Sequence, residues 1–204
     1  MSLREKKAAL KREEIMESAI AIIAEKGYHG TTMEDIASRL LMTKGSLYYY
    51  FKNKQELVFE SQIKLLNESL GHFSFVEKMK ANAEEKLIKM IQLHTEHLVY
   101  NKAGFELMIK PEEIFTEEQI NEIYRLQEKY AEKYDVLLKE GIKDGSFNIA
   151  EDEIKIVRNL LLGALNWMMQ WHSLEGKKNV EDFTKVITKY VIRIVKPELS
   201  SVTH

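Results

Sequence analysis

Along this chain a Thr or Asn repeatedly stands three residues ahead of a Glu, Asp or Gln, with apolar residues at helical spacing behind it. Thr31 precedes Glu34, Thr32 precedes Asp35, Asn53 precedes Glu56 and Thr116 precedes Gln119. In such a pair the first side chain accepts from the free amides of a new helix and the second reaches back to the cap's own amide, so each pair marks a helix start. Signals for any other structure are scarce. Nine glycines and two prolines, Pro111 and Pro197, in 204 residues leave little to bound strands or turn hairpins. The pattern predicts an all-α protein.

Apolar periodicity places about nine helices. Ile15, Ala19, Ile22 and Ile23 form one face of a first helix from Glu13 that stops at Gly27. Thr31 or Thr32 caps a short second helix burying Ile36, Ala37 and Leu40, and Thr43 caps a third on which Leu47 and Phe51 share a face. A fourth runs from Asn53 to about Gly71. Beyond it come a helix from Ala83 to about Asn101, a broken segment between Phe105 and Ile114, and a long helix from Thr116 to about Gly141. Two apolar helices, Glu151 to Leu174 and Val180 to Val195, close the chain, separated by "EGKKN".

Composition removes several classes of function. Without cysteine there is no disulfide, thiolate metal site or cysteine nucleophile, and a cytoplasmic location is the simplest expectation. The charged start "MSLREKKAALKREE" is no secretory signal, and the longest uncharged run, between Arg158 and Glu175, carries Asn166, Gln170 and His172. No membrane partner is expected, since a span needs about 20 mostly apolar residues. Residues 1–54 hold 10 Lys+Arg against 7 Asp+Glu, a balance of +3, while the remainder holds 20 against 25, and the two sum to the net −2. The excess positive charge is mild and permits phosphate contact without demanding it.

Within that basic portion, "TKGSLYYYFKNK" sets three tyrosines and a phenylalanine beside three lysines. Two short helices joined by a tight turn and preceded by a packing helix form a helix-turn-helix unit, whose second helix can enter a DNA major groove. Residues 33–51 fit that geometry. Gly45 permits close backbone approach, tyrosine hydroxyls donate to phosphate oxygens while their rings meet thymine methyls, and Lys54 adds a point charge. The competing reading is that the tyrosines, Tyr48 above all, pad a core beside Leu47 and Phe51, and that Lys44 and Lys54 are merely solvated.

The stretch "GYHGTTMEDIASRLLMTKGSLYYYFKNKQEL" resembles the DNA-binding segment of the tetracycline-repressor (TetR) family, over about residues 10 to 58. The resemblance implies that Thr32 and Lys54 hold phosphates. It places Thr43, Lys44, Gly45, Ser46, Tyr48, Tyr49 and Tyr50 on the recognition helix, with Lys44, Ser46 and Tyr49 nearest the base edges. It divides the chain into a DNA-binding domain, residues 1–52, and a ligand-binding and dimerisation domain, residues 53–204, with helix 53–71 connecting them. The partners it implies are duplex operator DNA, a second copy of the chain and a hydrophobic effector. One departure stands in the turn, where the family commonly has glycine and this chain has Leu41, a poor residue for a positive φ.

"NLLLGALNWMMQWHSLEG", with the turn "LLKEGIKDGSF", resembles the subgroup that controls fatty-acid breakdown and is released by acyl-CoA thioesters. The last two long helices would then pair with their mates as a four-helix bundle. Met90, Leu93, Phe105, Met108, Tyr124, Met168 and Met169 offer soft apolar surface for an acyl chain. Trp167 and Trp171 are candidates for pocket wall or dimer core, and Arg125 and Arg158 for cationic partners of a CoA head group.

Two rival classes remain. An enzyme finds no phosphate loop, dinucleotide fingerprint or nucleophile elbow, and needs a cofactor the chain does not announce. His94 and His97, three apart on a helix, could share a metal, yet no Glu-x-x-His pair supports a di-iron bundle, so no metal or cofactor is expected. A helical protein-interaction module that keeps the helix-turn-helix only as packing is the second rival.

Overall fold

The computed structural model describes residues 2–108, 110–171 and 179–196, and these are all-α. The helices are α1 (Leu3–Lys26), α2 (Met33–Arg39), α3 (Lys44–Tyr50), α4 (Lys54–Val76), α5 (Ala83–Tyr100), α6 (Lys102–Glu106), α7 (Glu117–Lys143), α8 (Ile154–Trp167) and α9 (Val180–Val191). Four single 3-10 turns accompany them, at Pro111–Glu113, Glu151–Glu153, Met168–Gln170 and Ile192–Ile194.

Boundaries differ from the periodicity in three places, each for a local reason. α1 begins ten residues ahead of Glu13, because Ser2 and Glu5 form a reciprocal cap and the Lys- and Ala-rich stretch behind them favours helix. α4 passes through Gly71 to Val76: an interior glycine costs only about 1 kcal/mol, and the last turns bury Phe73 and Val76. The helix expected over 151–174 starts as a 3-10 turn, becomes α8 at Ile154 and tightens again at Met168. Leu174, His172 and most of the "EGKKN" linker lie outside the described residues.

The chain divides into two compact units, Met1–Leu66 with Ala103–Arg125, and Asn67–Lys102 with Leu126–His204. This is not a division at residue 52. The first half of α4 belongs with the helix-turn-helix, and residues 103–125 return to it. Gln62 donates from Nε2 to the Gly104 carbonyl at 3.0 Å, Gln55 donates to the Ile114 carbonyl at 2.8 Å, and Phe59 meets Phe115 edge-on.

In the first unit Ile15, Ala19 and Ile22 of α1 are buried with Ile36 of α2, Leu47 of α3 and Leu57 and Val58 of α4. The second unit has its own core, in which Phe73 joins Leu87, Met90 and Ile91 of α5, Tyr130, Tyr134 and Leu138 of α7, and Leu161 and Leu165 of α8. Gly141 has a packing reason: a Cβ there would sit 1.9 Å from the Phe147 ring, which folds back over the end of α7.

Candidate nucleic-acid interface

Thr32 caps α2, accepting from the Asp35 amide at 3.1 Å, and Asp35 returns to the Thr32 amide and hydroxyl. α2 ends in a Schellman motif, with the Met42 amide donating to the Ala37 carbonyl at 2.9 Å and the Leu41 amide to Ser38 at 3.1 Å. That motif needs a left-handed residue, and it falls on Leu41, at φ 52°. The side chain is 96% exposed, so no packing offsets the strained backbone. Thr43 then caps α3, its hydroxyl accepting from the Ser46 amide.

α3 is anchored by two residues four apart. Leu47 and Phe51 are buried, whereas Tyr48 and Tyr49 are 41% and 75% exposed and Tyr50 is partly buried. Thr43, Lys44, Gly45 and Ser46 are exposed, and nothing lies within 4 Å of where a Cβ of Gly45 would stand. The core reading of the tyrosines therefore fails for Tyr49 and holds in part only for Tyr50, whose ring stacks edge-on against Tyr49 at 5.2 Å.

Two cations fix this unit from behind. Arg12 donates to the Tyr50 carbonyl at 2.5 Å, pairs with Glu60 and lies 4.2 Å over the Phe51 ring, tying α1 to the end of α3 and to α4. Sequence reading overlooked it, because its partners are 38 and 48 residues away. Lys54 differs from its expected role. Its ammonium donates to the Tyr28 carbonyl and, at 2.6 Å, to the Thr31 carbonyl, and it lies 4.1 Å over the Tyr28 ring. Burial lowers its pKa. Two of three N–H donors are thus committed inside the protein, which makes Lys54 a staple beneath the N-terminus of α2 with at most one donor left for phosphate. Thr32 is likewise engaged through its hydroxyl by Asp35.

Comparison with known proteins matches this geometry to a family. Residues 15–60 match the bacterial regulatory proteins of the tetR family, and residues 80–195 match the tetracyclin repressor-like C-terminal domain. The chain belongs to the TetR family. Among relatives, it is 31% identical over 170 residues to the fatty acid metabolism regulator protein of Bacillus subtilis strain 168, covering 76% of this chain and 82% of that one. A Clostridium perfringens protein named for fatty acid metabolism regulation superposes with TM-score 0.71 at 30% identity, covering 89% and 96% of the two chains. AibR, solved with isovaleryl coenzyme A and operator DNA, shares the fold at TM-score 0.70 and 22% identity, covering 91% and 98%.

The effector candidates of this TetR-family chain divide between its two units. Phe105, Met108, Tyr124 and Arg125 lie in the first, and Met90, Leu93, Arg158, Trp167, Met168 and Trp171 in the second. Met90 and Met168 are fully buried in the second core and Leu93 packs against it, while Met169 is partly buried. Neither arginine is a free cation. Arg158 is buried and donates to Asp135 at 2.7 Å and to Asn159, so a head group would have to displace a buried pair. Arg125 pairs with Glu122 at 2.6 Å on the surface, next to half-exposed Tyr124. His94 uses both ring nitrogens, toward Tyr130 Oη at 2.7 Å and Asn166 Oδ1 at 3.1 Å, which leaves none for the metal once considered with His97. Trp167 and Trp171 are 67% and 57% exposed, Trp171 edge-on to Phe183. Among the described residues, no helix is long and apolar enough to cross a membrane.

Proposed function

We propose that this protein is a transcriptional repressor that reads a palindromic operator as a homodimer and leaves it when a hydrophobic effector, preferably a long-chain acyl-CoA, binds the α5–α9 unit. The observation carrying the DNA part is the contrast along α3: Leu47 fully buried, and two positions later Tyr49 three-quarters exposed beside Lys44, Gly45 and Ser46. A helix that only packed would have no reason to present that row to solvent. A protein-interaction module would predict neither salt-dependent nor sequence-selective duplex binding.

Dimerisation is supported by α8, where Ile156, Leu160 and Trp167 are 63%, 56% and 67% exposed at helical spacing, with the small residues Gly163 and Ala164 between them. Tyr190 of α9, 57% exposed, extends the apolar face. A second copy covering this face would set two α3 helices about 34–36 Å apart, one turn of duplex.

The acyl-CoA preference rests on the relatives named for fatty acid metabolism and on the soft apolar lining of Met90, Leu93 and Met168. Effector binding lowers DNA affinity to the extent that the effector prefers a conformation with mis-spaced α3 helices. The test starts from a random duplex pool. The protein should enrich a palindrome, and palmitoyl-CoA should release it while free palmitate does not. Release by palmitate or a drug alone moves the effector to another hydrophobic class, and enrichment of no sequence defeats the repressor reading.

A further inference from the structure

Arg4, Lys7 and Lys11 recur at i, i+3 and i+7 along the N-terminal part of α1. At about 100° per residue they fall within a stripe roughly 60° wide, and Lys6 points to the opposite side. The stripe faces α3. Leu3, Arg4, Lys7 and Ala8 line an open groove with Tyr49 and Tyr50, and Lys11 lines a second one with Gly45, Ser46 and the same two tyrosines. Tyr49 is therefore the ridge between two grooves, each with a basic wall. Lys11 is paired with Glu14 at 2.8 Å, but Arg4 and Lys7 are exposed and have no ion pair among the described residues. The nearby acid Glu5 turns its carboxylate to the Ser2 amide.

Resting on the reading of α3 given above, we infer that the start of α1 is a second DNA-binding element, with Arg4 and Lys7 gripping the phosphate backbone of the same duplex whose major groove receives α3. A duplex seated on α3 carries a phosphate rail along each groove edge. The groove between α1 and Tyr49 offers such a rail two unpaired cations, and a guanidinium and an ammonium both suit phosphate oxygens. These contacts carry affinity and orientation and no base preference.

The experiment uses the full chain and a duplex enriched from a random pool by the wild-type protein. Affinity is measured against salt for the wild type, for Arg4→Ala with Lys7→Ala, and for Lys6→Ala, which removes a charge from the other face of α1. Two lost phosphate contacts should flatten the plot of log affinity against log salt by about 1.8, at roughly 0.9 per contact on duplex DNA. Binding should weaken alike on all sequences with the preferred bases unchanged, and Lys6→Ala should keep the wild-type slope. The exchange Arg4→Lys with Lys7→Arg, which retains both charges, should restore the slope, separating charge from any loss of helix. A wild-type slope in the double alanine protein, or an equal loss in Lys6→Ala, overturns the inference and leaves α3 as the reader. A wild-type protein that enriches no duplex overturns both.

Discussion

Lys44, the first residue of α3, closes an ion pair with Glu34 in the first turn of α2, and the same ammonium lies 5.8 Å from the centre of the Tyr48 ring. The hydrogen bond with Lys44 lowers the Glu34 pKa, and the same contact raises that of Lys44. The cation expected at the base edges is thus held by a carboxylate in the free protein. Both partners are exposed, so water and salt screen the pair and a phosphate or guanine can replace it. Glu34→Gln removes the competitor and one negative charge from the DNA side. Duplex affinity should rise by roughly 3- to 10-fold at low salt, with the gain shrinking as salt is added, as read by fluorescence anisotropy.

Tyr49 and Leu47 separate recognition from folding. Tyr49→Ala should weaken binding to the selected duplex by at least about 10-fold, the scale of one lost base contact. It should change stability by less than about 0.5 kcal/mol, as exposed positions do. Leu47→Ala, at a fully buried site, should instead lower stability by about 2–5 kcal/mol in urea denaturation. Equal affinity after Tyr49→Ala would take that ring out of the interface.

Leu41 occupies a left-handed turn that costs a non-glycine residue about 1–2 kcal/mol. Its side chain is almost fully solvated, so Leu41→Gly deletes no packing. The substitution should stabilise the protein by about 1 kcal/mol and raise Tm by about 3 °C, measured by calorimetry. A lowered Tm would mean that the leucine makes a compensating contact.

The α8 face gives a test of assembly. Leu160→Glu places a charge in the exposed apolar stripe, where a second copy would bury it unpaired. Sedimentation should shift from dimer to monomer with helicity unchanged, and operator affinity should fall with it. A variant that stays dimeric would remove α8 from the interface.

Burial pushes His94 from the ordinary imidazole value near 6.5 down to about 4. The folded protein keeps the ring neutral while the unfolded chain takes up a proton, so the unfolded state binds more protons between those two values. Stability is full above about pH 6.5 and declines as pH falls toward 4. At pH 5 the loss is about 2 kcal/mol, from about 1.4 kcal/mol per pH unit. His72, also lowered by burial and by nearby His97, acts in the same direction. In urea titrations at pH 7.5 and 5, His94→Gln should be less stable than wild type at the higher pH and show a flatter dependence by about one proton. An unchanged slope would place the titration elsewhere.

Helix positions were legible because caps and buried faces are local signals. The Thr32 and Thr43 caps and the Leu47–Phe51 pair stand where spacing alone puts them. The strained turn was legible through the glycine expected at Leu41. What escaped reading depends on partners far along the chain. Lys54 bonds carbonyls 23 and 26 residues back, and Arg158 finds Asp135 on another helix, so neither engagement leaves a periodic trace. The early start of α1 was visible in Ser2 and Glu5, a capping pair of the kind used elsewhere, but the run behind it has too few apolar residues for a periodicity search.

α4 runs unbroken from Lys54 to Val76, so the boundary after Leu66 falls inside a helix and not in a loop. Proteases cleave extended chain, and at this boundary the backbone amides and carbonyls are already engaged within the helix. Digestion there would have to wait for several turns to melt, so a stable fragment ending near Leu66 should be difficult to release from the intact chain by mild cleavage.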